Sequence, residues 1–366
     1  MKIGILTYHR AENYGALLQA YATKTYLESL GHEVSFVDYW PKYHSDYFKV
    51  FSWKSFLHSS LKSKLVKLNR LMIMGHMLYK RKHTMQQFMH EQLGLSNQPE
   101  YEDRKSVTKK YDAVIYGSDQ IWRKQHLGGV LFDDWYFGSD NVRADKKIVY
   151  AGSMGKIDTD DSDDIYVKEQ MSHFDHIAVR ESDLQIYLQR LGVEAVQVID
   201  PVFLLSKEQW ESLFIPSFKK GRYILFYNLL NTQESVSFVK QLSKQTGLPI
   251  YEITKKTSFY SHYAHLINNA SVGQFLGLVK GAEYVVSNSF HGVAFSLIFE
   301  KQFFAVGMEG KANRVISLLD SAGINDRYIS STQFKISVSQ INYKIIDNRI
   351  EDIIMKSKSY LNNALL

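Results

Sequence analysis

GAEYVVSNSFHGVAFSLIFEKQFFAVGMEGKANR, residues 281–314, carries the pattern on which the fold reading turns. Residues 284–286 are a short apolar run, Ser287, Asn288 and Ser289 a polar turn, and 293–299 an apolar run long enough for a helix. Strand, loop and helix follow in that order, and a second short strand is predicted over 303–306. A helix entered from such a loop aims unpaired backbone N–H groups and a partial positive charge at whatever lies above the strand end, which favours an anionic ligand. His291 stands in that first turn, and Lys311 and Arg314 add two cations at the same rim. Taken alone, Ser287 reads as a helix cap and His291 as a locally bonded side chain. Taken with the two cations, the cluster reads as a candidate anion site.

The same strand–loop–helix pattern recurs along the chain. Residues 3–7 are an apolar strand, 8–14 a polar loop holding His9, Arg10 and Asn13, and 16–30 a helix stopped by Gly31, with the next strand at 34–38. This is the opening unit of a parallel α/β domain, in which ligands collect at the carboxyl ends of strands. A buried strand at 113–116 runs into Gly117, Ser118 and Asp119; Asp119 suits a general base or a helix cap. Strands at 148–151, 177–179 and 196–199 follow. The second ends on Arg180, which either pairs with Glu181 or Asp183 or waits for an anion. Residues 205–221 read as a hinge, and 223–227 open a second α/β unit that contains the opening stretch. A last helix is predicted over 349–366. Two α/β halves with facing rim loops describe a cleft enzyme. Their bounds are 1–205 and 222–345, with 346–366 packing back on the first half.

A chain of 366 residues suits two domains, and 45% hydrophobic residues can build their cores. The absence of cysteine excludes disulfides and thiolate metal sites and fits a reducing, cytoplasmic compartment. The apolar run near the N-terminus is too short for a signal peptide, and no window approaches a membrane span. The formal charge of +6 is unevenly spread: between Asp46 and Glu91 there is no acidic residue, while Lys49, Lys54, Lys62, Lys64, Lys67, Arg70, Lys80, Arg81 and Lys82 are all basic. Leu57, Leu61, Leu65, Leu68 and Met72 recur there at helical spacing, so 49–93 reads as a basic helical insertion in the first domain. Such a helix either packs its leucines into the core or lies on an anionic membrane surface. No nucleic-acid motif accompanies the charge. No dinucleotide, P-loop, zinc-protease or hydrolase-elbow motif is present, and the thirteen histidines show no metal-ligand spacing.

HRAENYGALLQAYA (9–22), YGSDQIW (116–122), YAGSMG (150–155), VRESD (179–183), DPVFLL (200–205) and SNSFHGVAFSLIF (287–299), in this order, resemble the polysaccharide pyruvyl transferase family. The resemblance implies two Rossmann-like domains facing a cleft in a GT-B-like arrangement. It also implies transfer of a pyruvyl group from phosphoenolpyruvate to a sugar of a capsular or other cell-surface glycan precursor, lipid-linked precursors included. The donor site would comprise Arg180, Ser287, Ser289, His291, Lys311 and Arg314, with His291 as acid and Asp119 as base. His9, Arg10 and Asn13 would meet the acceptor. Many members carry Arg where this chain has Ser289, and Lys311 and Arg314 lie close enough in sequence to replace it. Phosphoenolpyruvate enters as a substrate, so the scheme needs no cofactor and no metal. A basic segment on the same protein would bring it to the inner face of the membrane. Two other functions remain open for this scaffold: a nucleotide-sugar glycosyltransferase, because fold does not fix the donor, and a non-catalytic sugar-binding protein.

Overall fold

A computed structural model of the chain describes residues 1–49, 56–102, 109–125, 131–216, 221–254, 261–308, 312–330, 336 and 339–366. Two parallel sheets organise them. The first contains β1 (Lys2–Leu6), β2 (Glu33–Phe36), β3 (Lys110–Tyr116), β4 (Arg143–Gly152), β5 (His176–Val179) and β6 (Val196–Gln197), in the order β2-β1-β3-β4-β5-β6. The second contains β7 (Ile224–Asn228), β8 (Ile250–Thr254), β9 (His265–Ile267), β10 (Tyr284–Ser287), β11 (Gln302–Val306) and β12 (Tyr328–Ile329), in the order β12-β11-β10-β7-β8-β9. The central strands are continuous apolar runs, as strands covered by helices on both faces must be.

The helices of the first half are α1 (Tyr14–Ser29), α2 (Lys42–Tyr47), α3 (Leu61–Glu91), α4 (Asp161–Met171) and α5 (Ser182–Arg190), with α6 (Lys207–Glu211) leading out of it. Those that follow are α7 (Gln233–Thr246), α8 (Val272–Gly281), α9 (Phe290–Ile298), α10 (Asn313–Ala322) and α11 (Tyr343–Leu365). Strand order reverses between β1 and β3 in one sheet and between β7 and β10 in the other. Ligands of open parallel sheets bind in the crevice at such reversals. The loops holding Arg10, Asp119 and His291 therefore stand at the two switch points.

The halves are welded by aromatic side chains. Tyr14, at the start of α1, stacks on Phe275 of α8 at a centroid distance of 4.6 Å and donates to the Ala270 carbonyl. Trp210 of α6 is buried between Tyr21 of α1 and Phe295 of α9, and its indole N–H donates to the Val202 carbonyl. The segment read as a hinge is therefore packed where it is described; 217–220 lie outside the described residues. One apolar cluster runs from Ile3 and Ile5 through α8 and α9 to Leu361 and Leu365. The last helix reaches the first sheet, where the Tyr360 hydroxyl donates to the Val149 carbonyl and Ser357 Oγ accepts from the Ile199 N–H.

Two local readings change. β6 stops at Gln197 because Asp200 caps a tight turn, Pro201–Phe203, accepting from the Val202 N–H at 3.1 Å. The leucine row does not enter the core: Leu57, Leu61, Leu65, Leu68 and Met72 are exposed, and α3 instead buries Met74, Met85, Phe88 and Met89. Those four lie on the opposite side of the helix, where Phe88 meets Tyr21 of α1 and the helix packs against α8.

Removing the Trp210 ring opens a large void in the joint between the halves. Trp210→Ala is expected to lower unfolding free energy by about 3–5 kcal/mol in urea titrations, and Trp210→Phe by clearly less.

Candidate active site

The site grows from strand ends. Arg180 follows β5 directly, and its backbone N–H donates to the Gly152 carbonyl at the end of β4. Its buried guanidinium donates to Asp200 Oδ2 at 2.6 Å, to Ser118 Oγ at 3.2 Å and to Glu181 Oε1 at 3.3 Å. Asp200 uses its other oxygen as the cap described above, so a single residue ends the strand and anchors the arginine. Ser153 Oγ donates to Glu181 Oε1 at 2.6 Å. Four strand ends of the first sheet thus converge on one guanidinium.

The second half supplies the other wall. After β10, Ser287 Oγ accepts from the Ser289 N–H at 3.0 Å. Asn288 accepts from the Leu229 and Leu230 N–H groups and donates to Asn228, which in turn donates to buried Glu252. This network fixes the turn from which α9 starts. Ser289 occupies the cap position of α9 without a side-chain cap bond. His291 is buried in the first turn, its Nε2 3.8 Å from Asp200 Oδ2. That nitrogen has no hydrogen-bond partner among the described residues. Gly15 at the start of α1 leaves room for the ring: a Cβ there would lie 2.0 Å from His291 Nδ1. Phe290 carries both cations, with Arg180 at 4.9 Å and Arg314 of α10 at 6.0 Å from its ring centroid.

Arg314 is mostly buried and makes no hydrogen bond among the described residues; its nearest carboxylate oxygen, Glu181 Oε1, is 3.9 Å away. A cavity of about 180 Å³ opens onto Arg180, Asp200, Phe290 and Arg314, with Lys356 of α11 in its lining. Lys311 lies outside the described residues.

Burial and charge set the protonation states. Burial pushes the His291 imidazole down to about 4, with Arg180 and Arg314 adding to the effect and Asp200 and Asp119 opposing it. The ring is neutral at pH 7, so the acid expected from the sequence starts without its proton. Burial raises the Glu181 carboxyl, against the pull of Arg180 and Arg314, and its Oε2 is buried without a hydrogen-bond partner among the described residues. Burial also acts upward on Asp200, but His291, charged in the acid range where this carboxyl titrates, together with the Arg180 charge and hydrogen bond, outweighs it and holds that carboxyl low.

Asp119 is half-buried with φ +70°, its Oδ1 accepting from the Gln120 N–H. Its charge acts on Arg180, Arg314 and His291, and also on Tyr8 and His44. The same half carries an aromatic group in which Tyr8 packs edge-on against His44 at 4.7 Å. There Trp40 stacks on His44 at 4.8 Å, and Arg10, Trp40, Lys42 and Lys82 line a cleft of about 450 Å³.

Of the residues expected at the acceptor side, only Arg10 lines this cleft. It is held by Asp38 through bonds of 2.5 and 2.6 Å. His9 is not a rim residue: it is fully buried, and its two ring nitrogens are engaged by the Thr7 carbonyl and Asp38. Asn13 caps α1, accepting from the Gly15 N–H at 2.9 Å. The expected Arg180, His291 and Arg314 do come together around Asp200 and Phe290, with Ser287 and Ser289 in the supporting turn, whereas Asp119 acts on them through its charge. Sequence reasoning missed Asp200, Phe290 and Lys356. Asp200 was legible as a turn residue before Pro201, but nothing in the sequence marks the use of its second oxygen.

The family model for polysaccharide pyruvyl transferase matches residues 13–309. The chain belongs to the polysaccharide pyruvyl transferase family. That span holds Arg180, Asp200 and His291 and stops short of Arg314. The protein is thus a transferase of polysaccharide biosynthesis. No curated protein matches it. Among solved structures it is similar in fold to the UDP-GlcNAc 2-epimerase of Methanocaldococcus jannaschii, at 11% identity and a TM-score of 0.47 over 97% of this chain and 93% of that one. It is also similar to the E. coli heptosyltransferase WaaC, at 11% identity and 0.40 over 96% and 100%. A third is the glycosyltransferase SnogD of Streptomyces nogalater, at 8% identity and 0.39 over 99% and 95%.

His291 and His44 are both pushed by burial to about 4, below the ordinary histidine value near 6.5. Between those pH values the unfolded chain takes up protons that the folded one does not, so folding stability falls as pH drops from 6.5 towards 4. His291→Gln should remove about 2–3 kcal/mol of the loss between pH 7 and 4.5 in urea titrations. An identical pH dependence in the variant would mean that the ring is not held neutral.

Proposed function

We propose that this transferase moves the pyruvyl group of phosphoenolpyruvate onto a sugar of a cell-surface polysaccharide precursor, releasing phosphate and leaving a pyruvate ketal. What carries the reading is Arg314, a mostly buried guanidinium with no hydrogen bond among the described residues, beside the unpartnered Nε2 of His291. A part-buried cation whose N–H groups make no hydrogen bond among the described residues calls for an anion. Phosphoenolpyruvate brings a phosphate and a carboxylate for Arg314, Arg180 and the start of α9. The Ser289 position then needs no third guanidinium, and Lys311 lies in the segment leading to α10.

The neutral imidazole fits this donor if proton and anion arrive together. Negative charge placed against His291 offsets Arg180 and Arg314, the two cations that help to hold its proton affinity down. His291 then protonates as the donor binds and becomes the acid that delivers a proton to the methylene carbon. A sugar hydroxyl attacks the adjacent carbon and passes its proton to Asp119. Attack by a second hydroxyl expels phosphate and closes the ketal, and phosphate carries the second hydroxyl proton away. Asp200 acts on both Arg180 and His291 as a positioning residue. The acceptor is placed in the cleft lined by Arg10 and Trp40, with Asn13 and His9 supporting that wall from behind. The scheme uses no metal or cofactor and places the enzyme on the cytoplasmic side.

The test joins binding and product. Phosphoenolpyruvate should raise the melting temperature, whereas UDP- and GDP-sugars should not; stabilisation by a nucleotide sugar alone would favour the glycosyltransferase alternative. Calorimetry in buffers of different ionisation enthalpy at pH 6.5 should show proton uptake with the donor, lost in His291→Gln. Incubation with phosphoenolpyruvate and a panel of glycosides should release phosphate and give a product heavier by one pyruvate less water. Arg314→Ala should weaken donor binding at least about tenfold, in line with loss of a charged hydrogen-bond partner. Phosphate release unchanged in Arg314→Ala would remove this residue from the donor site. No product with any acceptor would favour the sugar-binding alternative.

A further inference from the structure

The helix α3 is longer than any other described helix and has two unlike faces. One is anchored: Met74, Met85, Phe88 and Met89 are buried, and Lys82 pairs with Glu12 at 3.1 Å. The other carries Leu61, Leu65, Leu68, Met72 and Tyr79 at steps of three, four and seven, with Ile73 alongside. Leu61 is 78% exposed, Leu65 63% and Met72 71%. At 1.5 Å per residue this helix is about 46 Å long. Isolated exposed leucines need no explanation, whereas a contiguous stripe of this length marks a contact surface.

The charges say which surface. From Leu61 to His90 the helix holds seven Lys and Arg residues and no Asp or Glu, and the exposed Lys62 and Lys80 lie beside the apolar row. A core partner or a second copy of this chain would be served by an apolar face alone; a row of cations beside apolar side chains fits a bilayer, whose headgroups are anionic and whose acyl region is apolar. No described helix is long and apolar enough to cross a membrane, so the contact is peripheral. We propose that α3 lies on an anionic lipid surface, with its leucine row in the headgroup–acyl boundary and its lysines on lipid phosphates. The same helix lines the Arg10–Trp40 cleft through Lys82, Gln86 and His90, so docking brings that cleft to the bilayer and presents it to a lipid-linked acceptor. The lipid contact itself does not depend on the donor; the presentation of an acceptor rests on the function proposed above.

Flotation with phosphatidylcholine vesicles and with vesicles containing one-quarter phosphatidylglycerol tests this. The wild-type chain should float with the anionic vesicles only, and raised salt should lower the bound fraction. Leu65→Asp with Met72→Asp, and separately Lys62→Glu with Lys80→Glu, should each reduce binding at least about tenfold while leaving the melting temperature and turnover of a soluble glycoside unchanged. Absence of binding to anionic vesicles, or undiminished binding by the leucine variant, overturns the proposal. So does a wild-type dimer, seen by light scattering, that the leucine variant converts to monomer, because the stripe would then be covered by a second copy. Failure of flotation with intact phosphate release leaves the transfer chemistry standing, and the reverse result leaves the docking surface standing.

Discussion

A guanidinium held between two carboxylates in the seam of the molecule is the constraint around which the rest is arranged. Arg180 has no exposed charge to hydrate, so Asp200 and Glu181 must compensate it, and each is itself fixed from another strand end or helix turn. Buried ion pairs contribute little net stability, since desolvation offsets most of the attraction. Retaining this one therefore makes sense as positioning: with both partners buried, the arginine has one available place, and Phe290 and His291 of the other half are built against it.

That geometry needs the two halves to be held in register. Tyr14 and Trp210 provide the apolar joint, and Gly15 allows the start of α1 to approach the imidazole more closely than any side chain at that position would allow. The two sheets meet through their strand ends, and each supplies part of the site. The first brings Arg180 with its carboxylates and hydroxyls, and the second brings the ring of His291, with Arg314 entering from α10. Proton affinity in such a seam is governed by exclusion of water, so a ligand that brings its own charge also changes the state of the residues that receive it.

The long basic helix belongs to the same logic at a larger scale. Its buried face ties it to α1 through Phe88 and Tyr21 and packs it on α8, hence on elements beside the site, while its leucines face outward with cations beside them. One element thus links the cleft beside Arg10 to the outer surface.

Much of this was legible in the residues. The strand–loop–helix periodicity placed β1, β3, β5 and β10 and the loops beyond them, because apolar spacing and turn residues act over a few positions. It also marked Arg180, which directly follows an apolar strand, and His291 and Arg314 in the segments beyond two later strands. The fate of the leucine row was not legible: the same helical spacing serves a core face or a docking face, and only the position of α1 and α8 decides which side of α3 is covered. His9 reads as a loop histidine until Asp38 closes on it from just beyond the neighbouring strand. Local pattern was enough for the two parallel halves, the rim loops and the family; long-range packing settled which charges are paired, which histidine is neutral and which face of α3 is left uncovered. Pairing and burial depend on residues far apart in the chain, and no local pattern encodes the distance between them.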